Sequence, residues 1–396
     1  MLNLVKLAHQ MQGMGQHLSQ EAEAAQRRLS LAVSLSTKAL ADQSALVSVL
    51  GTQGDRLAFT AAEPIEPLIP HQALPPAHQP HSVIATDGSQ IAPSHHEIAY
   101  CYLINVGQVV LHYGQSRFPR LDSLPEVVYR PEELALPRQW GMATAEWMGH
   151  RRTVAEAQQL ATLATATLQE LGPSPPPLLA MVDGSLIYWF LDNLPESARE
   201  LILPPILAAW DQLRQQGIPL VGYVSAARSS EGLNFLRLAA CPFPTPDCQH
   251  HCRGQAEGAA CGRFMPLRDA NFWASQLTPG QRSPFYRSTA AILERYGDQP
   301  IYFCYLHVGT EVARVEVPRW VVADVDQGER ALAMVLAQVQ KGYGYPVALA
   351  EAHNQAVVRG GDRHRFFALL ERELIRAGLK NVGVSAKEAR KRGSIA

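Results

Sequence analysis

Apolar positions between Leu2 and about Leu50 recur at helical spacing among Gln, Glu and Arg, which predicts one or two amphipathic helices. The periodicity stops from about Ala62 to His81, where Pro and His dominate, as in a linker or an extended strap. An apolar run ending in an acid follows, Ser82-Val-Ile-Ala-Thr-Asp87-Gly-Ser, and then a loop with Pro93. The β-rich segments Glu97–Val106 and Gln108–Tyr113, pivoting on Gly107, complete an expected set of three strands with an antiparallel hairpin. From about Ala143 to Leu171 the period turns helical until the Pro173–Pro177 run stops it. A second apolar run with the same ending, Leu178-Leu-Ala-Met-Val-Asp183-Gly-Ser, is followed by a helix from about Glu196 to Gln216 and a strand over Pro219–Val224. Beyond a cysteine-rich stretch, strands are expected near Ile301–Val308 and Val312–Val322, a helix near Glu329–Gln340, and a last helical stretch from about Ala348.

Strand, strand, strand, helix, strand, helix, strand is the element order of a ribonuclease H-like fold. The expected architecture is therefore α+β, a mixed sheet flanked by helices. The expected boundaries are an N-terminal helical arm over 1–60 and a Pro-rich linker over 61–81. A catalytic domain over 82–370 carries a Cys-rich insertion at about 240–262, and a C-terminal helix and basic tail fill 371–396. At 396 residues, 47% hydrophobic and 18% charged, the chain has the composition of an ordinary globular protein that can bury a large core. No uncharged apolar stretch approaches the roughly 18–20 residues of a membrane span, and the N-terminus lacks a signal-peptide layout, so a cytoplasmic location is expected. A net charge of −1 excludes a protein coated in positive charge; nucleic-acid contacts would have to come from a local patch.

Both Asp-Gly-Ser corners sit where an apolar strand ends, so each carboxylate is held at the rim of the sheet while Gly lets the backbone turn behind it. One such corner is a common turn. Two of them, at the first and fourth strands of this element order, bring Asp87 and Asp183 together if those strands are neighbours, and paired carboxylates repel unless a cation lies between them. The helix between the corners carries Glu156, with Glu146 and Glu126 as alternatives for a third acid. Three acids from strand, helix and strand suit one or two Mg²⁺ or Mn²⁺ ions, and His353 is the candidate imidazole that would tilt the choice toward Mn²⁺.

With these residues placed, the chain resembles the NurA nuclease family. The resemblance rests on Ile84-Ala-Thr-Asp87-Gly-Ser, Arg152-x-x-x-Glu156, Met181-Val-Asp183-Gly-Ser-Leu and Val221-Gly-Tyr-Val-Ser225. Pro279-Gly-Gln-Arg282-Ser, Gly344-Tyr345-Pro346 and Ala352-His353 extend it over about residues 80–365. It implies a Mn²⁺-dependent exonuclease and endonuclease acting on DNA, a homodimer, and partnership with a HerA-type hexameric helicase-translocase in end resection and double-strand break repair. It also implies Asp87, Glu156 and Asp183 as metal ligands, with Tyr345 and His353 as further site residues. Many members of the family carry a Lys after the serine of the fifth strand; here Ser225 is followed by Ala226, Ala227 and Arg228, so a cation needed there would come from Arg228, and Arg282 is a second candidate DNA contact. Two other readings remain: an inactive DNA-binding adaptor for a motor ATPase, and a ribonuclease H-like enzyme acting on RNA or branched DNA.

The cysteine cluster Cys241, Cys248, Cys252 and Cys261 has C-x6-C-x3-C-x8-C spacing, without the paired C-x2-C knuckles of recognisable zinc sites. Structural Zn²⁺, an iron–sulfur cluster and an unliganded thiol loop are all compatible with it. The basic run Lys387–Arg392 could touch phosphates or a partner, or be merely solvated.

Overall fold

A computed structural model describes residues 2–378 apart from 12, 72, 95–96 and 254–258; the basic tail lies outside the described residues. The strands, in chain order, are β1 (Glu63–Pro64), β2 (His81–Ile91), β3 (Tyr102–Tyr113), β4 (Arg120–Val128), β5 (Leu178–Asp183), β6 (Leu220–Val224), β7 (Tyr286–Arg287), β8 (Ile301–His307) and β9 (Val312–Pro318). The chain divides into two compact units, residues 1–74 with 224–316, and residues 75–223 with 317–396. Among the described residues no helix is long and apolar enough to cross a membrane.

The second unit carries strands in the order β6-β5-β2-β3-β4. β2, β3 and β4 form an antiparallel meander, while β5 pairs parallel with β2 and β6 parallel with β5. The expected ribonuclease H-like element order is therefore present. One expectation is corrected: Gly107 is not a hairpin pivot but lies mid-strand in β3, opposite Asp87. The third strand is instead β4, which the sequence pattern concealed because Arg120 to Val127 are all exposed, so no apolar alternation marks them.

A helix over Thr144–Leu171 connects the meander to β5. Its Val154, Ala157, Ala161 and Ala164 recur at three- and four-residue spacing and are buried, as is Trp147 two turns earlier, and the helix packs on β2 and β3. A second helix, Val347–Ala356, packs on the same two strands. Side chains alternate between the faces of a strand. Thr86 and Gly88 face the first helix, Thr86 by donating its hydroxyl to the Glu156 carbonyl at 3.0 Å. Asp87 and Gly107 face the second.

The first unit holds β1-β7-β8-β9. The N-terminal segment is not a free arm along its length: the helices Met14–Ala41 and Gln43–Gln53 bury Ala32, Ala39 and Leu50 in one core with Phe235, Phe264 and Tyr305. The Pro-rich strap runs extended, with the Ile65, His71 and Leu74 N–H groups donating to the carbonyls of Phe285, Arg282 and Gly280. Asp269 is fully buried and accepts from the N–H groups of Gly232 and Leu233 at 2.9 and 2.8 Å, at the start of the Glu231–Ala240 helix, and from the Tyr305 hydroxyl at 2.8 Å. Burial pushes its carboxyl up to about 6. Asp269→Ala leaves those three donors without their acceptor and is expected to cost roughly 3–5 kcal/mol in urea unfolding; a cost below about 1 kcal/mol would show that water replaces the carboxylate.

Candidate active site

Parallel pairing of β2 with β5 runs up to Thr86 opposite Val182, so the next step of the register sets Asp87 beside Asp183 at the rim. Adjacent strands lie about 4.8 Å apart, and residues in register share a face. Both Asp87 oxygens are engaged: Oδ1 accepts the Gly88 N–H at 2.8 Å, and Oδ2 lies 2.8 Å from His353 Nδ1. His353 is brought there by the Val347–Ala356 helix and remains largely exposed. Asp183, the last residue of β5, stands in register with Tyr223 of β6, and the buried Tyr223 ring meets the Tyr345 ring edge-on at 5.7 Å between centroids.

Glu156 comes from the other face. Its Oε1 falls 2.4 Å from where a Cβ on Gly88 would stand, with Arg152 Cγ at 2.6 Å. Only Gly at position 88 leaves room for both side chains, so the second residue of the Asp-Gly-Ser corner admits the third acid besides turning the backbone. Arg152 Nε lies 3.2 Å from Glu156 Oε1, an ion-pair distance without the alignment of a hydrogen bond. Burial pushes the Glu156 carboxyl up to about 7, from an ordinary value of 4.5. The Arg152 charge opposes that rise, Asp87 and Asp183 add to it, and a hydrogen bond from the Gly88 N–H opposes it. A carboxyl that feels both aspartates is one end of an acid cluster short of positive charge.

The donor set of three carboxylates and an imidazole is the chemistry a hard divalent cation takes. Among the described residues, no group of three or more His, Cys, Asp or Glu side chains is already arranged to hold a metal ion. The raised Glu156 carboxyl fits a cation, since added positive charge beside the three acids would favour the ionised form of Glu156.

Of the expected site residues, Asp87, Glu156, Asp183, Tyr345 and His353 gather in this one unit. Glu146 sits in the exposed first turn of its helix and Glu126 on the exposed strand β4, and neither is among the groups that perturb Glu156. Arg282 is placed differently from an exposed DNA contact. It is 2% exposed, its guanidinium bonds both Glu66 oxygens at 2.7 and 3.1 Å, and it lies over the Phe285 ring. Burying the strap's carboxylate requires that pairing. Arg228 is exposed in the first unit, where its carbonyl accepts from Arg268. Sequence reasoning missed the structural reason for Gly88 and Gly107, since a glycine does not reveal what occupies its missing side chain's place.

A family model of the NurA domain matches residues 81–358 of the chain. Among solved structures, the NurA nuclease from Sulfolobus solfataricus is similar at 12% identity and a TM-score of 0.47, over 85% of this chain and 95% of that one. No curated protein matches the chain.

Proposed function

The chain belongs to the NurA family of nucleases, and from that premise we propose that it is a deoxyribonuclease dependent on Mn²⁺ or Mg²⁺. Its expected work is DNA end resection in double-strand break repair, as a cytoplasmic homodimer paired with a HerA-type helicase-translocase. The observation that supports metal dependence is Glu156: a carboxyl raised to about 7 by burial and by the charges of Asp87 and Asp183, with only Arg152 and the Gly88 N–H favouring its ionised form.

Asp87, Glu156 and Asp183 would hold the cation, with His353 beside them. When bound, the ion supplies Lewis-acid stabilisation of charge developing on a phosphodiester and acidifies water at neutral pH. The chain's own contribution is orientation. The Gly88 N–H and His353 fix the two oxygens of Asp87, and Tyr223 sets the edge-on position of Tyr345. His353, held 2.8 Å from the Asp87 carboxylate, is placed to exchange a proton with a leaving oxygen.

Incubation of the full chain with linear single- and double-stranded DNA and Mn²⁺ tests the reading, with RNA and branched DNA as competitors. Degradation of DNA is expected, and Asp87→Ala and Asp183→Ala should each lower it by roughly two to three orders of magnitude. Activity that survives either change removes the assigned site. An inactive wild type that still binds a motor ATPase would mark an adaptor.

A further inference from the structure

The four cysteines that the proposed nuclease reaction does not use line one cavity of about 220 Å³ in the first unit. Their convergence comes from local geometry. Cys241 ends the Glu231–Ala240 helix, while Cys248 and Cys252 are separated by one turn of the Cys248–His251 helix, which sets them on one side. Cys261 lies in a short 3-10 turn, with Arg237 Nη2 3.8 Å from its sulfur. All four are free thiols, and Cys248 and Cys261 are buried.

The size of the cavity selects among the cations. A single zinc ion draws its sulfurs to about 2.3 Å, which closes the ligand sphere to within van der Waals contact of itself. Here the four cysteines instead line, together with Leu57, Phe59, Leu238 and Phe243, a volume of about 220 Å³, larger than one ion fills. A polynuclear iron–sulfur core held by four thiolates fills such a volume and carries net negative charge. Arg237, 3% exposed and stacked 3.8 Å from the centroid of the Phe59 ring, brings a guanidinium to the Cys261 sulfur, as an anionic cluster requires. Apolar walls at Leu57, Leu238 and Phe243 complete the shell.

We propose that Cys241, Cys248, Cys252 and Cys261 hold a four-iron, four-sulfide cluster that clips the chain between the end of the Glu231–Ala240 helix and residue 261. The cluster is received preassembled. Each thiol releases its proton to solvent as its sulfur bonds iron, so no electron changes hands. The cluster's place is structural, and its presence is independent of the acid site.

Purification of the full chain without air, with analysis of iron, acid-labile sulfide and zinc, tests this. About four iron and four sulfide per chain are expected, together with broad visible absorption that bleaches on reduction. Cys252→Ser should lose at least half of the iron, and Asp87→Ala, which would abolish the nuclease, should keep all of it. One zinc per chain without sulfide, or neither metal in protein made under iron-replete conditions, overturns the proposal. Should Cys252→Ser fail to fold, the wild-type metal and sulfide content decides alone.

Discussion

Glu156→Gln is expected to melt at a higher temperature than the wild type at pH 8 without divalent metal, while losing nuclease activity by roughly two to three orders of magnitude. The sign follows from linkage. A carboxyl whose folded value is about 7 and whose ordinary value is 4.5 contributes stability that is fully present below pH 4.5 and is lost as pH rises through 7. Above pH 7 the folded protein carries a charge that burial and two neighbouring carboxylates disfavour, at a cost of order 3 kcal/mol. The amide cannot ionise and escapes that cost, so the variant should gain roughly 1–3 kcal/mol at pH 8 and much less at pH 5. Mn²⁺ should reverse the ranking by stabilising the wild type through binding to the native state. Its affinity should strengthen between pH 6 and pH 8, as proton and cation compete for the same carboxylate. Differential scanning calorimetry at the two pH values, with and without Mn²⁺, reads all of this. Equal melting temperatures at pH 8 would mean that Arg152 already compensates Glu156.

Gly107→Ala carries the second large effect. A Cβ built at Gly107 stands 2.3 Å from the Ala352 carbonyl oxygen and 2.5 Å from the Ala356 nitrogen, both backbone atoms of the helix that carries His353. Side chains can rotate away from a new methyl; a helix backbone cannot without leaving the sheet. The substitution is expected to cost at least the roughly 1–3 kcal/mol typical of overpacking and to separate His353 from Asp87, lowering activity to the level expected of a His353→Ala variant. Urea unfolding gives the first quantity and the DNA assay the second. A Gly107→Ala protein with wild-type stability and full activity would show that the helix is free to lift from β3. The contrast with Gly149, where an added Cβ meets nothing within 4 Å, supplies the control: Gly149→Ala should leave stability and activity near wild type.

Much of the acid site was legible in the sequence because strand ends and turns are local. An apolar run closed by Asp-Gly-Ser states where a strand stops and which residue stands at its rim, and its recurrence at Asp183 states that a second rim carries the same group. The helix carrying Glu156 was legible from its periodicity, but the choice of Glu156 over Glu146 or Glu126 was not, because a carboxylate's spacing along a helix does not say which strand glycine it will meet. Arg282 shows the opposite failure. In the sequence it is a cation in a turn; in the fold it is the buried partner of Glu66, more than two hundred residues earlier in the chain.

The sequence by itself determined the two strand ends with their aspartate corners, the helix between them and the four-cysteine spacing, since each depends on short-range periodicity, turn chemistry or composition. Only the tertiary structure decided that Gly107 continues a strand instead of breaking it, that exposed β4 is the third strand, and that the N-terminal helices share a core with residues 224–316. It also decided that four cysteines spread over twenty-one positions line one cavity. Each of these depends on what another segment places against the residue, and a missing side chain or a buried charge acquires its meaning only from that neighbour.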